Sequence, residues 1–317
     1  MRFARSSKGA WAARLLGPGA LLAVAALPWI AGSYPVKLAQ EILIWGIFAM
    51  SLDLLMGYAG MLSFGHSAFF GLGGYVAALA LRGWSPSLAS ALVLPAVAAA
   101  VAGLVVGYLS IRVSGVYFIM LTLAFSQMFY AAAFNAAWLG ASDGIPGIPR
   151  PRLPGLDLDR TEVFHLYVVA FFVATAVVLA RVVRSPFGRV LRGIEDNERR
   201  MVAVGYAIDR FKLAAFVVAA TLAGIAGSLE AQFNGYISPE ALFWTTSGEV
   251  LLMVIIGGAG TLAGPVLGAA AFIGLQSLMS SYTEHWMLIL GAAFIAFVLW
   301  APEGLLGLVR RETERGT

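Results

Sequence analysis

Three histidines, three lysines and no cysteine are what this 317-residue chain offers for group transfer or metal binding. Their spacing supports little of either. His66, His165 and His285 lie on separate segments, so no His-Glu-x-x-His pair forms. None of Lys8, Lys37 and Lys212 follows a glycine, which excludes the glycine-lysine loop that wraps nucleotide phosphates. Without cysteine there are no disulfides and no thiolate metal sites. What remains is a set of polar side chains set in apolar sequence: Glu41, Asp53, Ser63, His66, Ser67, Thr122, Ser126, Gln127, Asn135, Glu230, Glu249 and Gln276. Such groups can line a solute path or hydrogen-bond one helix to another. Ser63, His66, Ser67, Thr122, Gln127 and Asn135 are the candidates for a path, and His66 also fits a hydrogen-bonded interior histidine. Glu41 and Glu230 fall near segment ends, within reach of water. Asp53 stands about one turn before a glycine junction, where free backbone donors need an acceptor. No arginine ladder suggests a voltage sensor, and no paired mid-segment acids suggest a proton relay.

The elements that carry these residues are membrane spans. The chain is 60% apolar and 12% charged, about half the charge of a soluble domain. Apolar runs long enough to cross about 30 Å of hydrocarbon recur along its length, which predicts an all-α polytopic membrane protein. Spans are expected near 15–31, 38–56, 62–81, 87–110, 115–138, 163–183, 211–230, 245–259, 264–281 and 285–300. With the N-terminus inside, sixteen of the 21 basic residues fall in inner segments, eight of them between Arg181 and Lys212. That bias requires an even number of spans with both termini cytoplasmic: ten, or eight with a re-entrant segment. The first thirty residues, basic and then apolar, read as an uncleaved anchor. The organisation is then a cytoplasmic tail (1–14), one permease domain (15–310) and a short cytoplasmic tail (311–317). A Pro/Gly/Asp-rich external loop (139–162) and a charged cytoplasmic loop (185–210) interrupt the domain.

Glycine marks the tightest regions. "MGYAGMLSFGHSAFFGLGGYVAAL" (56–79) holds six glycines, which let helices approach closely in lipid. Gly57-Tyr-Ala-Gly-Met-Leu and Gly257-Gly-Ala-Gly-Thr-Leu share four of six letters, as a duplicated half would. The span before the second motif is short, and Gly264-Pro265 begins the next one. Gly57, Gly60, Gly257, Gly260, Gly264 and Pro265 are therefore candidate packing or hinge positions.

The charged loop begins with Ser185 and Pro186, a hydroxyl cap followed by proline at the first helical position. At about 100° per residue, Val190, Leu191, Ile194, Met201 and Val202 form one apolar stripe. Arg189, Arg192, Asp196, Arg199 and Arg200 lie opposite, Glu198 interrupts the stripe, and Gly205 offers a stop. One reading is a helix lying on the inner membrane surface. The other is a docking helix for a cytoplasmic protein, with the stripe as its anchor; the mixture of acids and arginines favours it.

The motifs "GYAGMLSFGHSAFFGLGGYVAA", "SPFGRVLRGIEDNERRMVAVGYAIDRFK", "TTSGEVLLMVIIGGAGTLAGPVLGAA" and "LWAPEGLLGLVRR", in that order from about residue 36 to 310, resemble permease subunits of branched-chain amino-acid ABC importers, of the LivM-like type. The resemblance implies a non-catalytic subunit of a bacterial cytoplasmic (inner) membrane importer. It implies pairing with a second related permease, two ATP-binding cassette subunits below and an external solute-binding protein. ATP and Mg would be used by those ATPase partners, with no cofactor on this chain. Arg192, Glu195, Asn197, Glu198 and Gly205 would then belong to the ATPase-coupling loop, moved as a rigid lever that tilts spans six and seven. The family often carries Arg where Glu195 stands and alanines at Arg200 and Met201. Its members also serve urea, short amides and aromatic acids, so the cargo is left open. The competing class is a stand-alone secondary carrier or channel.

Overall fold

The computed structural model describes residues 19, 21–83, 86–153, 155–282, 288, 289, 291, 292, 295, 304 and 305. The described chain is almost entirely helical: α1 (Leu21–Ile30), α2 (Ser33–Ala59), α3 (His66–Gly83), α4 (Leu88–Ser110), α5 (Val116–Asn135), α6 (Thr161–Arg184), α7 (Pro186–Ala203), α8 (Ile208–Asn234), α9 (Trp244–Gly257) and α10 (Gly264–Ser280). Five of these, α2, α4, α5, α6 and α8, are long and apolar enough to cross a membrane. The expected tails, 1–14 and 311–317, and nearly all of the expected span 285–300 lie outside the described residues.

Two helices form the axis. α2 and α8 pack on each other, and α8 also packs on α3 and α4 while α2 packs on α6 and α10. Both are apolar on every side, as helices buried on every side must be. The α3–α8 crossing is the tightest: a Cβ at Gly73 would collide with the Gly224 backbone, and one at Gly227 with the Phe70 carbonyl. Close backbone approach through small residues supplies the packing energy that water would supply in a soluble core.

Two helices carry proline beyond their first turn, and the bundle compensates for each. Pro28 in α1 and Pro95 in α4 lack an N–H, so the carbonyls of Val24 and Ala91 lose their intrahelical donors. In each case a side chain from a distant helix takes the donor's place. His165 Nε2 of α6 donates to the Val24 carbonyl at 2.8 Å, and Ser228 Oγ of α8 donates to the Ala91 carbonyl. His165, one of the three scattered histidines, thus has a structural duty.

α6 joins the two ends of the bundle. At one end, residues 137–160 form two short 3-10 turns and a strand, β1 (Ile145–Pro146), which pairs antiparallel with β2 (Tyr236–Ile237). Arg150 pins this segment: its guanidinium lies 4.0 Å over the Phe164 ring and donates to the Leu158 carbonyl at 2.8 Å. Burial holds Arg150 below its ordinary pKa and neighbouring Asp159 pushes it back up. At the other end lie α7, the start of α8 and the end of α2.

The expected span 62–81 begins late. Gly60, with φ of +66°, closes α2 in the left-handed region that glycine favours, with its own amide and that of Met61 both on the Leu55 carbonyl. Residues 61–65 are then non-helical, and α3 starts only at His66. The charged loop differs from expectation as well. Asn197 has φ −164° and ψ 97°, so α7 is two short helices meeting at a break rather than one continuous helix. The Asn197 side chain accepts from the Arg200 amide at 3.0 Å and caps the second piece.

The proline compensation predicts a specific non-additivity. Ser228→Ala should lower the stability of the solubilised protein by about 1–2 kcal/mol. In a Pro95→Ala background, where residue 95 regains its N–H, the same change should cost measurably less. A double-mutant cycle on denaturation midpoints checks this; equal costs in both backgrounds would count against it.

Candidate functional site

The sequence candidates gather in two places joined by the end of α2. The first is a junction where the two glycine motifs meet. The Gly57 backbone lies so close to Gly260 that an added Cβ would overlap the Gly260 amide. Asp53 Oδ1 accepts that amide's proton at 2.7 Å. Gly257 is packed against Gly264, and Gly268 against Met253, so α9 and α10 form a hairpin that no larger residue would permit. Gly260 itself turns with φ of +75°. Five of the six expected packing positions, Gly57, Gly257, Gly260, Gly264 and Pro265, converge here. Gly60 lies just beyond, under the Glu195 side chain.

The second place is a closed knot of hydroxyls around the non-helical segment and the start of α3. The Phe64 amide donates to Thr122 Oγ1 at 3.3 Å, and the Gly65 amide to Ser63 Oγ at 3.3 Å. The Ser67 amide donates to Ser247 Oγ at 2.8 Å. Ser247 Oγ donates to Ser67 Oγ at 2.8 Å, while Ser67 and Ser126 both donate to the Leu242 carbonyl, at 3.2 and 2.7 Å. Ser51 Oγ donates to the Phe48 carbonyl at 2.7 Å, which leaves it to accept from His66 Nε2 at 2.8 Å. All these side chains are buried. Here His66 and Ser67 tie α3 to α2, α5 and α9, Thr122 holds the Phe64 amide while donating to the Ile119 carbonyl of its own helix, and Ser63 accepts only from the nearby Gly65 amide; His66 Nδ1 has no hydrogen-bond partner among the described residues.

Gln127 and Asn135 lie elsewhere. Asn135 is exposed and donates to the Ala131 carbonyl one turn back. Gln127 Nε2 is enclosed and has no hydrogen-bond partner among the described residues. Both flank the outward face of α5, which carries Tyr117, Met120 and Met128. That face differs from the outward face of α4, where Val93, Val97, Val101, Leu104 and Val105 are aliphatic throughout.

α7 is anchored to the bundle through the residues expected to anchor it to a partner. Val190, Leu191 and Ile194 are buried against α2, α6 and α8, and Phe187 stacks on Phe211 at 5.6 Å. Beyond the break at Asn197 the stripe does not continue inward: Met201 is half-buried, while Val202 and Val204 face outward. The expected single docking stripe is therefore corrected, because the break rotates the second piece relative to the first. Arg192 lies 4.9 Å over the Tyr58 ring. Glu198, which seemed to interrupt the stripe, pairs with Lys212 Nζ at 2.7 Å. Lys212, nearly buried at the start of α8, needs that counter-charge. Gly205, with φ of +94°, follows the end of α7 and turns the chain toward α8.

Two other acids keep partial access to the surroundings, within the reach of water expected for them. Glu41 and Glu230 are only partly exposed. Asn234 donates to Glu230 Oε1 at 3.0 Å, while its Oε2 is enclosed without a partner among the described residues. The spacing Gly140-Ala-Ser-Asp-Gly144 matches a nucleophilic-serine pattern, yet it lies in a 3-10 turn where Ser142 Oγ merely donates to Asp143, without the strand-turn-helix that activates such a serine. Among the described residues no group of three potential metal ligands occurs. Ser247, Ser51, Tyr58 and Lys212 were missed as partners because each meets its mate from a distant or differently oriented segment.

Comparison with known proteins follows the same boundaries. The family described as "Branched-chain amino acid transport system / permease component" matches residues 34–298. The chain is 30% identical to the high-affinity branched-chain amino acid transport system permease protein LivM of Salmonella typhimurium, covering 92% of this chain and 74% of the relative. It is 26% identical to the probable branched-chain amino acid transport permease protein LivM of Methanocaldococcus jannaschii, over 86% and 90% of the two chains. To the permease protein LivH of Salmonella typhimurium it is 24% identical, over 86% and 93%. No solved structure matches significantly.

The Glu198–Lys212 pair sets the register of the outer half of α7. Glu198→Gln should leave the buried ammonium short of its counter-ion and lower stability by about 1–3 kcal/mol. Exchanging the two residues (Glu198→Lys with Lys212→Glu) should recover part of that loss, read as the thermal midpoint of the solubilised protein. A midpoint unchanged by Glu198→Gln would remove the pair from the account.

Proposed function

The chain belongs to the branched-chain amino acid transport system permease family, and from that membership we propose that it is one permease subunit of an ATP-driven importer. It works in a bacterial cytoplasmic membrane and pairs with a second, related permease. It passes branched-chain amino acids or similar small polar solutes delivered by an external binding protein. ATP and Mg are bound by two separate ATPase subunits; no lysine of this sequence follows a glycine, as the glycine-lysine phosphate loop requires.

The observation that carries the reading is the construction of α7. Its inner piece is fixed in the bundle by Val190, Leu191 and Ile194 and ends on an exposed Asp196, while its outer piece presents Arg199, Arg200 and Val202, with Val204 just after it, to the surroundings. A helix lying in a membrane surface would direct its apolar stripe to lipid. Here the stripe is spent on the protein itself and the exposed part mixes both charge signs with two valines, which suits a protein partner. Arg192, Glu195 and Glu198 act on the near side of this contact, against Tyr58, Gly60 and Lys212. Asn197 supplies the break between the two pieces and Gly205 the return to α8.

The face of α5 flanked by Gln127 and Asn135 supports a contact with the second permease. An enclosed glutamine without a partner among the described residues and an exposed asparagine at the helix end suit a face that meets protein or a wet path better than one that meets hydrocarbon. In this arrangement the path runs between the two permeases along α5.

Extraction of the tagged protein in mild detergent should bring with it a second permease and ATPase subunits, and the mixture should take up solute in liposomes only with ATP. Solute carried by this chain alone without ATP would replace the reading with a secondary carrier. Because the chain has no cysteine, single cysteines report contacts cleanly. Ala124→Cys on α5 should cross-link to the co-purified permease and Val97→Cys on α4 should not; the reverse pattern would move the interface.

A further inference from the structure

The end of α2 is touched from two sides at once. From one side come α7 and its contacts: Arg192 over Tyr58 at 4.9 Å, and Glu195 resting on Gly60. From the other comes the turn between α9 and α10, 200 residues away in sequence, whose Gly260 lies against Gly57. Among the described residues, one hydrogen bond joins α2 to that turn, from the Gly260 amide to Asp53 Oδ1 at 2.7 Å. Asp53 is fully buried, and its second oxygen has no hydrogen-bond partner. Just past Gly60 the chain is non-helical until α3 starts at His66, beside the hydroxyl knot.

We propose that Asp53 is a positioning residue that clamps the α9–α10 turn to the end of α2, so that a displacement of α7 reaches both halves of the bundle together. Packing of Gly57 on Gly260 alone offers two smooth backbones, which can slide past each other. A carboxylate oxygen held on one amide fixes their register. The transmission rests on the reading of α7 as the ATPase contact; the clamp itself does not.

The test separates these layers. In the purified chain, hydrogen exchange at the Gly260 amide should quicken by about tenfold or more in Asp53→Ala. It should stay near the parent value in Asp53→Asn, whose amide oxygen can still accept. In the complex with its ATPase subunits, uptake per ATP hydrolysed should fall roughly tenfold in Asp53→Ala and little in Asp53→Asn. A purely structural role would lower the amount of protein without changing that ratio. Should Asp53→Ala fail to accumulate, Asp53→Ser, whose oxygen sits one bond short of the amide, gives the same contrast. Unchanged Gly260 exchange in the Ala or Ser variant overturns the clamp. Faster exchange with an unchanged ratio overturns the transmission, as does an Asn variant that uncouples like Ala. If the unsubstituted protein shows no ATP-driven uptake, the functional reading fails and the transmission with it; failure of the inference alone appears only in the variants.

Discussion

A backbone amide or carbonyl inside a bilayer has no water to turn to, and the irregularities of this fold answer to that constraint. Two prolines free two carbonyls, and His165 and Ser228 occupy them. The segment after Gly60 leaves the helical pattern, and Thr122, Ser63 and Ser247 accept from amides between Phe64 and Ser67. The turn after α9 exposes the Gly260 amide, and Asp53 accepts from it. Many of the polar side chains in the apolar sequence are thus substitutes for missing backbone partners, each supplied by another part of the chain.

This economy explains which parts of the molecule could be read from sequence. The apolar runs, the cap at Ser185-Pro186 and the stop at Gly205 depend on neighbours within a few residues, and they are legible there. So is the kinship of the two glycine motifs, although their physical contact is not. The break at Asn197 was hidden by a hydrophobic stripe that suits one continuous helix; the choice is made by Lys212, which draws Glu198 toward α8. The role of Ser67 was hidden because half of its bonds come from Ser247, 180 positions away. Polarity in a span signals that a partner exists, without saying whether the partner is a solute, water or backbone.

The two ends of the bundle are built differently. One end is closed by a two-stranded ribbon that joins distant parts of the chain and by a loop that Arg150 pins through a local hydrogen bond. The other is an assembly of parts from α2, α7, α8 and the α9–α10 hairpin, held by one aspartate, one ion pair and glycine contacts.

The proline compensation also bears on how the molecule is made. α4 is synthesised with the Ala91 carbonyl lacking its helical donor, and the serine that answers it lies 137 residues later. The Val24 carbonyl waits for a histidine 141 residues on. At about 5–20 residues per second, each wait lasts on the order of ten seconds. During that interval the nascent chain must borrow water, lipid headgroups or an insertion chaperone at those two points. The positions of two prolines thereby set how much chain must follow before those two carbonyls are answered.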